Sequence, residues 1–528
     1  MERRLLRLAL FGTLCATLGS GTASTSAFAA RPTGLNSAKA AVPAKRLTLK
    51  ECILIGLKNN QEIYSAKVEE ELAEIDVVEA YASFFPNLDT SAGFSNSISP
   101  NTSDPNDPSM GRSIDYNVGL SGAFPWGGGW GFGVGSSITL GDDENDTEHG
   151  NTLSLSVNQP LLQGMGWTVG RRSLILARMS QKQGKETTRS QVSGLIQSLV
   201  EAYWDLWSAQ RTLEISKEGL EMGKRQLEAT KIKVQLGRMS RQELFINESD
   251  IVSRRKSVIS AEQSVMAARA SLLEQLYLRG AKRLGKLNLR EDIIPVDQPT
   301  GGQHEKRTLK ELWEIAQKWH PSLRRARRSL KMSAVNLIGA ENSELPQLDL
   351  GLSLNNSGTG YDGRGGGEDD DIAPAFRGGH GTAMGQAFSF RYPTFSVTLS
   401  LALPLHPGVR TAGAQRERIA MRQQKRSFTN SMSQAQLAVS KAYLSVINQE
   451  KILAAEHKVV EAAKRTLDAE RAKFKAGITA SFEVIAVQRD YTSALVELAQ
   501  QKVVVMQARV ELELRIGRLD KDFGIEIE

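Results

Sequence analysis

The chain has 528 residues, of which 40% are hydrophobic and 24% are charged, and its formal net charge is +7. This charge excess is small for the length and is spread along predicted helices, so no nucleic-acid partner is expected. After the N-terminal leader, no stretch reaches the length of a transmembrane helix, so any passage across a membrane would need strands.

Residues 1–29 have the three-part pattern of a secretory signal peptide. Three arginines precede an apolar run over residues 8–18, and Ala27-Phe28-Ala29 matches a cleavage site. The run is too short for a membrane anchor. It contains Cys15, so the exported chain keeps only Cys52, which cannot form an internal disulfide and is expected to be buried in a helix. Residues 30–46 follow as an N-terminal extension.

The rest of the chain is an internal duplication. Thr48-Leu49-Lys50-Glu51 recurs as Thr308-Leu309-Lys310-Glu311, and in both copies Thr stands three residues before Glu, the capping box that begins a helix. Pro86 and Pro346 stand where such a helix must stop. We therefore predict a first-repeat helix over 47–86 and a second-repeat helix over 308–346, with 286–307 as the linker. The cluster Arg324, Arg325, Arg327 and Arg328 is interpreted as a solvated helix face.

A strand-rich region follows each proline, over 87–164 in the first repeat and 347–408 in the second. Leu153, Leu155 and Val157 alternate with small polar residues, and the second region repeats this pattern. The alternation fits a membrane-barrel strand between lipid and lumen, but the edge of a soluble sandwich would show it as well. The first region has an additional run over 116–124 and 131–140, which suggests an added hairpin.

The loops of the strand regions are rich in glycine and acidic residues, at Asp142, Asp143, Glu144, Asp146, Glu148 and Glu368, Asp369, Asp370, Asp371. The ligand spacing of a known calcium loop is absent, so we interpret them as solvated external loops. Each repeat offers only a few strands, fewer than the roughly eight that close a small barrel, and lipid does not tolerate an open sheet edge. The chain must therefore oligomerise to span a membrane.

Long helical hairpins complete both repeats. Residues 171–236 contain no Pro and carry apolar residues at helix spacing. A helix of this length needs a coiled-coil partner, which the residues after Gly237 supply. We predict the first hairpin over 165–285 with its tip near 237, the second over 409–518 with its tip near 477, and a C-terminal tail over 519–528.

Motifs of catalysis are absent from the sequence. It has no phosphate loop and no His-Glu-x-x-His, Cys-x-x-Cys or Gly-x-Ser-x-Gly motif, and its six histidines are scattered. We therefore expect no enzyme activity, no cofactor and no metal site. The energy for any transport would come from a partner protein.

The order of these motifs, found twice, resembles the TolC-like outer-membrane efflux protein family. The residues that carry the resemblance are Leu47-Thr48-Leu49-Lys50-Glu51 with Asn59-Asn60, Phe85-Pro86-Asn87-Leu88, Gln159-Pro160-Leu161-Leu162 with Gly164, and the two glycine tips. The resemblance implies an internally duplicated α+β membrane protein. Its long antiparallel α-helical coiled-coil hairpins would form an α-barrel, and its strands would contribute to a shared trimeric transmembrane β-barrel, with four strands per protomer and twelve in all.

The resemblance also implies a location and partners. The chain would be an outer-membrane channel subunit of a Gram-negative cell, a homotrimer in contact with outer-membrane lipid and extending into the periplasm. It would serve a tripartite efflux or type I secretion system as a passive duct, docking to a periplasmic adaptor protein and an inner-membrane pump. The sequence does not distinguish small-molecule from protein cargo. The alternative is a periplasmic coiled-coil scaffold or surface adhesin without a pore, which needs neither two matched halves nor strands between its helices.

The same resemblance assigns two sets of site residues. Adaptor contact would fall to the tips, at Leu236, Gly237, Arg238, Met239 and Ser240 and at Gly477, Ile478, Thr479, Ala480 and Ser481. Glu243 and Glu483 would form an acidic ring at the tunnel entrance, although a solvated glutamate stabilised by the helix dipole is an equal alternative for each. Positions that help to hold the entrance shut in the best-known members are occupied here by Ala486, Phe474 and Thr479, so their closing mechanism is not expected unchanged.

Overall fold

The computed structural model describes residues 45–100, 109–140, 147–277, 293–299, 307–362, 372–403 and 407–519. All of them belong to one unit, Ala44–Glu528. The predicted signal peptide, the acidic loop residues other than Glu148, and the C-terminal tail from residue 520 lie outside the described residues.

Each repeat begins with two short helices, where the sequence predicted one long helix. Helices α1 (Leu49–Asn59) and α2 (Gln61–Ala82) are separated by Asn60, which is extended and whose Oδ1 accepts the N–H of Glu62 at 2.8 Å. In the second repeat, His320 takes the same place between α6 (Leu309–Trp319) and α7 (Pro321–Asn342). Both predicted capping boxes are confirmed. The prediction of a continuous helix was wrong because a side chain that caps a new helix competes with continuation of the old one.

Part of the predicted linker is folded. Strand β1 (Lys45–Leu47) pairs in parallel with β6 (Ile293–Pro295). Beside them, the fully buried Tyr203 hydroxyl lies 3.1 Å from both the Leu47 carbonyl oxygen and the Asp297 carboxylate, and accepts the Asp297 N–H at 3.2 Å. Burial raises the pKa of Tyr203. The start of the first repeat, at Leu47, and the chain leading to the second, at Asp297, are thereby both bound to Tyr203.

The two predicted helical hairpins are confirmed. After the single turn α3 (Trp167–Gly170), α4 spans Arg172–Gln235 and α5 spans Arg241–Tyr277, while α9 spans Pro407–Ala476 and α10 spans Ser481–Ile516. The 64 residues of α4 reach about 96 Å at 1.5 Å per residue. The main core lies where α4 passes α1 and α5, and it includes Leu199, Leu206, Leu272 and the fully buried Cys52.

One antiparallel sheet of six strands joins the helices. Its strands are neighbours in the order β2 (Asn87–Ser99), β3 (Ser109–Ala123), β4 (Gly129–Leu140), β5 (Thr147–Pro160), β7 (Gln347–Asp362) and β8 (Pro393–Ala402). The paired strands β3 and β4 are the added hairpin that the sequence suggested. The first repeat thus supplies four strands and the second two, which exceeds the four per chain that the resemblance implied.

The sheet has one apolar and one polar face. A single row across all six strands consists of Leu88, Leu120, Phe132, Leu155, Leu354 and Phe395. The adjacent row, on the other face, consists of Asp89, Gly119, Gly133, Ser154, Asn355 and Thr394. Apolar side chains are widely exposed on the first face, with Phe94 and Phe395 each 67% exposed. An apolar surface of this extent is typical of contact with lipid or with another protein.

A helix covers the polar residues that interrupt the apolar face. Helix α8 (His380–Phe388) packs on β5 and β7. The buried Asn356 side chain donates to the Gln386 carbonyl oxygen at 3.1 Å and accepts the N–H of Tyr392 at 3.1 Å. At Gly358 a Cβ would lie 1.9 Å from the Ala383 carbonyl oxygen, so only glycine allows this close approach.

The basic cluster of α7 is not a solvated face, contrary to the sequence interpretation. Arg324 and Arg328 lie 3.0 and 3.2 Å from the Glu186 carboxylate of α4, which is only 7% exposed. Arg325 donates to the Thr187 hydroxyl at 3.4 Å, and of the four arginines only Arg327 is exposed. A buried carboxylate requires cationic partners, and the arginines supply them.

Candidate functional site

Both hairpins reverse direction by the same backbone motif. The tip glycines, Gly237 and Gly477, have φ values of 69° and 78°, which glycine adopts without strain. The residue after each glycine donates its N–H five residues back, from Arg238 to the Lys233 carbonyl oxygen at 2.9 Å and from Ile478 to that of Lys473 at 3.0 Å. This is the Schellman ending of a helix. The two predicted tips are therefore structurally matched.

Lys233 connects the two tips. Its ammonium group, in the last turn of α4, donates to the Phe474 carbonyl oxygen in the last turn of α9 and lies 3.6 Å from the centre of the Phe474 ring. Phe474 is buried, and desolvation together with the nearby Arg238 lowers the pKa of Lys233. A cation is favourable at the carbonyl end of a helix and over an aromatic ring. The first hairpin thus caps a helix of the second.

Ser481, the first residue of α10, is fully buried between the hairpins. Its hydroxyl lies 2.8 Å from Asn247 Nδ2, 3.3 Å from Gln226 Nε2 and 3.4 Å from Thr230 Oγ1. All three partners belong to the first hairpin, and all are buried. The sequence assigned Ser481 to adaptor contact, and this burial contradicts it, because the side chain faces the first hairpin.

A buried ion pair lies farther from the tips than Ser481, between α5 and α10. Asp250 of α5 is 3% exposed, and its carboxylate lies 2.5 Å from Arg254 Nε and 2.6 Å from Arg489 Nη2 of α10. Arg254 also donates to the Gly219 carbonyl oxygen at 3.1 Å and to Gln488 Oε1 at 3.3 Å. We refer to Lys233, Ser481, Asp250 and their partners as the tip cluster. It joins α10 and the end of α9 to the first hairpin through hydrogen bonds and charge.

The outer ends of the tips are apolar and exposed. Leu236 is 65% and Ile478 77% exposed, and Phe245 and Phe482 are also exposed near the starts of the returning helices. The remaining predicted contact residues are exposed or half-buried, namely Gly237, Arg238, Met239, Ser240, Gly477, Thr479 and Ala480. Ser481 is therefore the exception within the predicted set.

Glu243 and Glu483 are not equivalent. Glu483 is exposed and accepts a hydrogen bond from the Thr479 hydroxyl. Glu243 is half-buried, and its Oε2 has no hydrogen-bond partner in the described part of the chain. Because a desolvated carboxylate oxygen without a donor is costly, Glu243 is the more unusual of the two.

Sequence reasoning missed most of the tip cluster. Asn247, Asp250 and Arg254 follow one another at three and four residues, so they share one helix face, and that face turns out to be buried. A polar stripe at this spacing is normally assigned to solvent. The available sign was the heptad spacing of α5: Leu244 and Ile251 are seven residues apart, and Asn247 and Arg254 occupy the second core position of the same heptads.

The described residues contain neither a membrane-spanning helix nor a metal-binding group of side chains. No helix there is long and apolar enough to cross a bilayer. No group of three or more histidine, cysteine or acidic side chains there could hold a metal ion.

The family of the chain follows from its two halves. The model of the outer membrane efflux protein family matches residues 55–276 and 312–518, one segment in each repeat. The chain belongs to the outer membrane efflux protein family. This confirms the resemblance to TolC-like channels and the outer-membrane location with an extension into the periplasm. The family is one of channels and not of enzymes.

Solved outer-membrane channels share the fold of this efflux protein. OprN is 17% identical, with 89% of each chain covered and a TM-score of 0.63. CmeC of Campylobacter jejuni is 15% identical over 89% of this chain and 86% of that chain, with a TM-score of 0.61. MtrE of Neisseria gonorrhoeae, solved in its open state, is 17% identical over 89% and 88%, with a TM-score of 0.59. These confirm the duplicated, helix-rich α+β class, while no curated protein matches the chain significantly.

Proposed function

We propose that three identical copies of this outer-membrane channel form a passive export duct through the periplasm and the outer membrane. The duct serves a tripartite efflux or type I secretion system, in which an inner-membrane pump supplies the energy and a periplasmic adaptor protein makes the connection. The observation that carries the proposal is the combination of two matched, glycine-tipped hairpins with one sheet whose faces are apolar and polar.

The two faces of the sheet suit a wall between lipid and water. The exposed apolar row from Leu88 to Phe395 would contact outer-membrane lipid, and the row from Asp89 to Thr394 would face the lumen. A coiled-coil scaffold or an adhesin without a pore does not require a sheet with a wide, exposed apolar face. This feature favours the duct over the alternative class.

The tips suit the docking of an adaptor. Exposed apolar side chains such as Leu236 and Ile478 lie at the reversals, where a partner can reach them. Arg238-Met239 in the first tip corresponds to Ile478-Thr479 in the second, so each copy offers two sites of similar backbone and different chemistry. An adaptor can use this difference to distinguish the first tip from the second, which sets the register in which it docks.

The duct is tested by extraction and conductance. We expect the protein to leave outer-membrane fractions only with detergent, to run as a trimer after chemical cross-linking, and to give single-channel currents in planar bilayers. A parallel preparation from cells without the protein is the control. Release by salt alone, or trimers that never conduct, would contradict a duct.

The acidic ring is tested by neutralisation. Replacing Glu243→Gln together with Glu483→Gln should lower the preference of the channel for cations over anions, because three copies of each carboxylate would concentrate cations at the entrance. Reversal potentials across a salt gradient measure this preference. Glu461→Gln, an exposed change on the shaft of α9, is the matched control. Equal reversal potentials in the unaltered protein, the double variant and the control would show that both residues are ordinary solvated glutamates.

A further inference from the structure

The hairpin β3–β4 is an integral part of the sheet. Both of its strands are paired along their length, β3 with β2 and β4, and β4 with β5. The apolar face continues across it, since Val118 of β3 is opposite Val134 of β4, which is opposite Leu153 of β5. The neighbouring positions, Asn117 and Gly135, are on the polar face. The hairpin therefore has the same two-faced character as the strands on either side.

The turn of this hairpin is fixed against the helical end of the sheet. Trp126 stacks on Phe124 with ring centres 4.9 Å apart, and it meets Trp167 edge-on at 5.5 Å. Its carbonyl oxygen accepts the N–H of Gly166 at 2.9 Å, and its indole N–H donates to Gln159 at 3.0 Å. A Cβ at Gly127 would lie 2.2 Å from the Gly164 carbonyl oxygen, so the contact is close. The turn is thus held at the junction between strands and helices.

The two edges of the sheet lie open in the described chain. β2 and β8 each pair with one neighbour and not with each other. Side chains on these edge strands are highly exposed, as at Ile98 and Leu399. Unpaired backbone groups cannot remain in lipid, so within a membrane each edge must meet another strand. With identical copies around an axis, the available partner for β8 is the β2 edge of the next copy.

We propose that the outer-membrane wall of this channel contains eighteen strands, because three copies of the six-stranded sheet join edge to edge. This rests on the proposed trimeric duct and deepens it. Barrel diameter grows roughly linearly with strand number, so the wall is about one and a half times as wide as one of twelve strands. Small residues keep the lumen open along the added hairpin, where Gly129, Gly131, Gly133 and Gly135 succeed one another on the polar face.

Site-directed spin labelling tests whether the hairpin is in the wall. Single cysteines are introduced in a Cys52→Ser background at Val118 and Val134 on the apolar face, and at Asn117 and Ser137 on the polar face. Labels at Val118 and Val134 should collide with oxygen dissolved in lipid, and labels at Asn117 and Ser137 with a water-soluble nickel chelate. Leu399 on the apolar face and Thr398 on the polar face of β8 are the matched control pair. β8 belongs to the wall whether or not the hairpin β3–β4 does. If Val118→Cys prevents assembly, Ile114→Cys on the same face replaces it.

The outcomes separate this proposal from the duct itself. Alternation at all three pairs in cross-linked trimers supports eighteen strands. Alternation at Leu399 and Thr398 with water contact at both Val118 and Val134 removes the hairpin from the wall, which overturns the eighteen strands and leaves the duct. Dimers, or a β8 pair without alternation, overturn the trimeric duct and the strand number together.

Discussion

The substitution Asp250→Ala should make local opening of the tip cluster more frequent. The change leaves the Arg254 guanidinium, which is 8% exposed, without its carboxylate between α4, α5 and α10. Removal of one partner from a buried pair costs about 3–5 kcal/mol. Hydrogen exchange of the amides around Asp250 and Arg489, followed by mass spectrometry, should accelerate on the order of 10²- to 10⁴-fold if the exchange follows local opening.

Two further variants make this result specific. Glu248→Ala removes an exposed acid two residues away and should leave the exchange unchanged. Asp250→Leu combined with Arg254→Met removes both buried charges, so it should recover a large part of the loss, since an apolar pair of similar volume is tolerated where a single charge is not. Equal exchange in Asp250→Ala and in the unaltered protein would show that the ion pair does not hold the hairpins together.

His320→Asn should make the channel less sensitive to acid. Burial lowers the pKa of His320 to about 4, with Arg515 and Arg325 adding to the effect. Its Nδ1 accepts the N–H of Ser322 at 3.2 Å, as the cap of α7 requires, and protonation would remove this acceptor. The ordinary value is 6.5, so the folded state holds the proton less tightly than the unfolded state. The stabilisation is therefore complete above pH 6.5 and is lost as the pH falls from 6.5 towards 4.

The size of this loss is about 3 kcal/mol, at about 1.4 kcal/mol for each pKa unit. Asparagine is the matched replacement because Asn60 caps α2 at the same point of the first repeat. Thermal unfolding in detergent at a fixed protein concentration, at pH 7 and at pH 4, measures the difference. The variant should match the unaltered protein at pH 7 and be the more stable of the two at pH 4. An identical loss in both proteins would exclude His320 as the acid-sensitive group.

Much of the architecture could be predicted because it depends on local chemistry. Thr48 and Thr308 define helix starts through a side chain that reaches three residues along, and Gly237 and Gly477 define reversals through a backbone angle. The period of apolar residues distinguishes long helices from strands within a single segment. The same local rules failed at Asn60, where the helical pattern continues through a residue that caps a new helix.

The sequence by itself determined the duplication, the hairpins with their tips, and the two faces of each strand, because periodicity, caps and turns act over a few residues. Only the tertiary structure decided that six strands form one sheet, that Arg324 and Arg328 hold a buried glutamate, and that Ser481 and Asp250 lie between the hairpins. Each of these depends on residues far apart in the chain. The local sequence around a polar side chain is the same whether that side chain faces water or a polar partner. Which of the two it contacts is decided only by the packing of the partner helix.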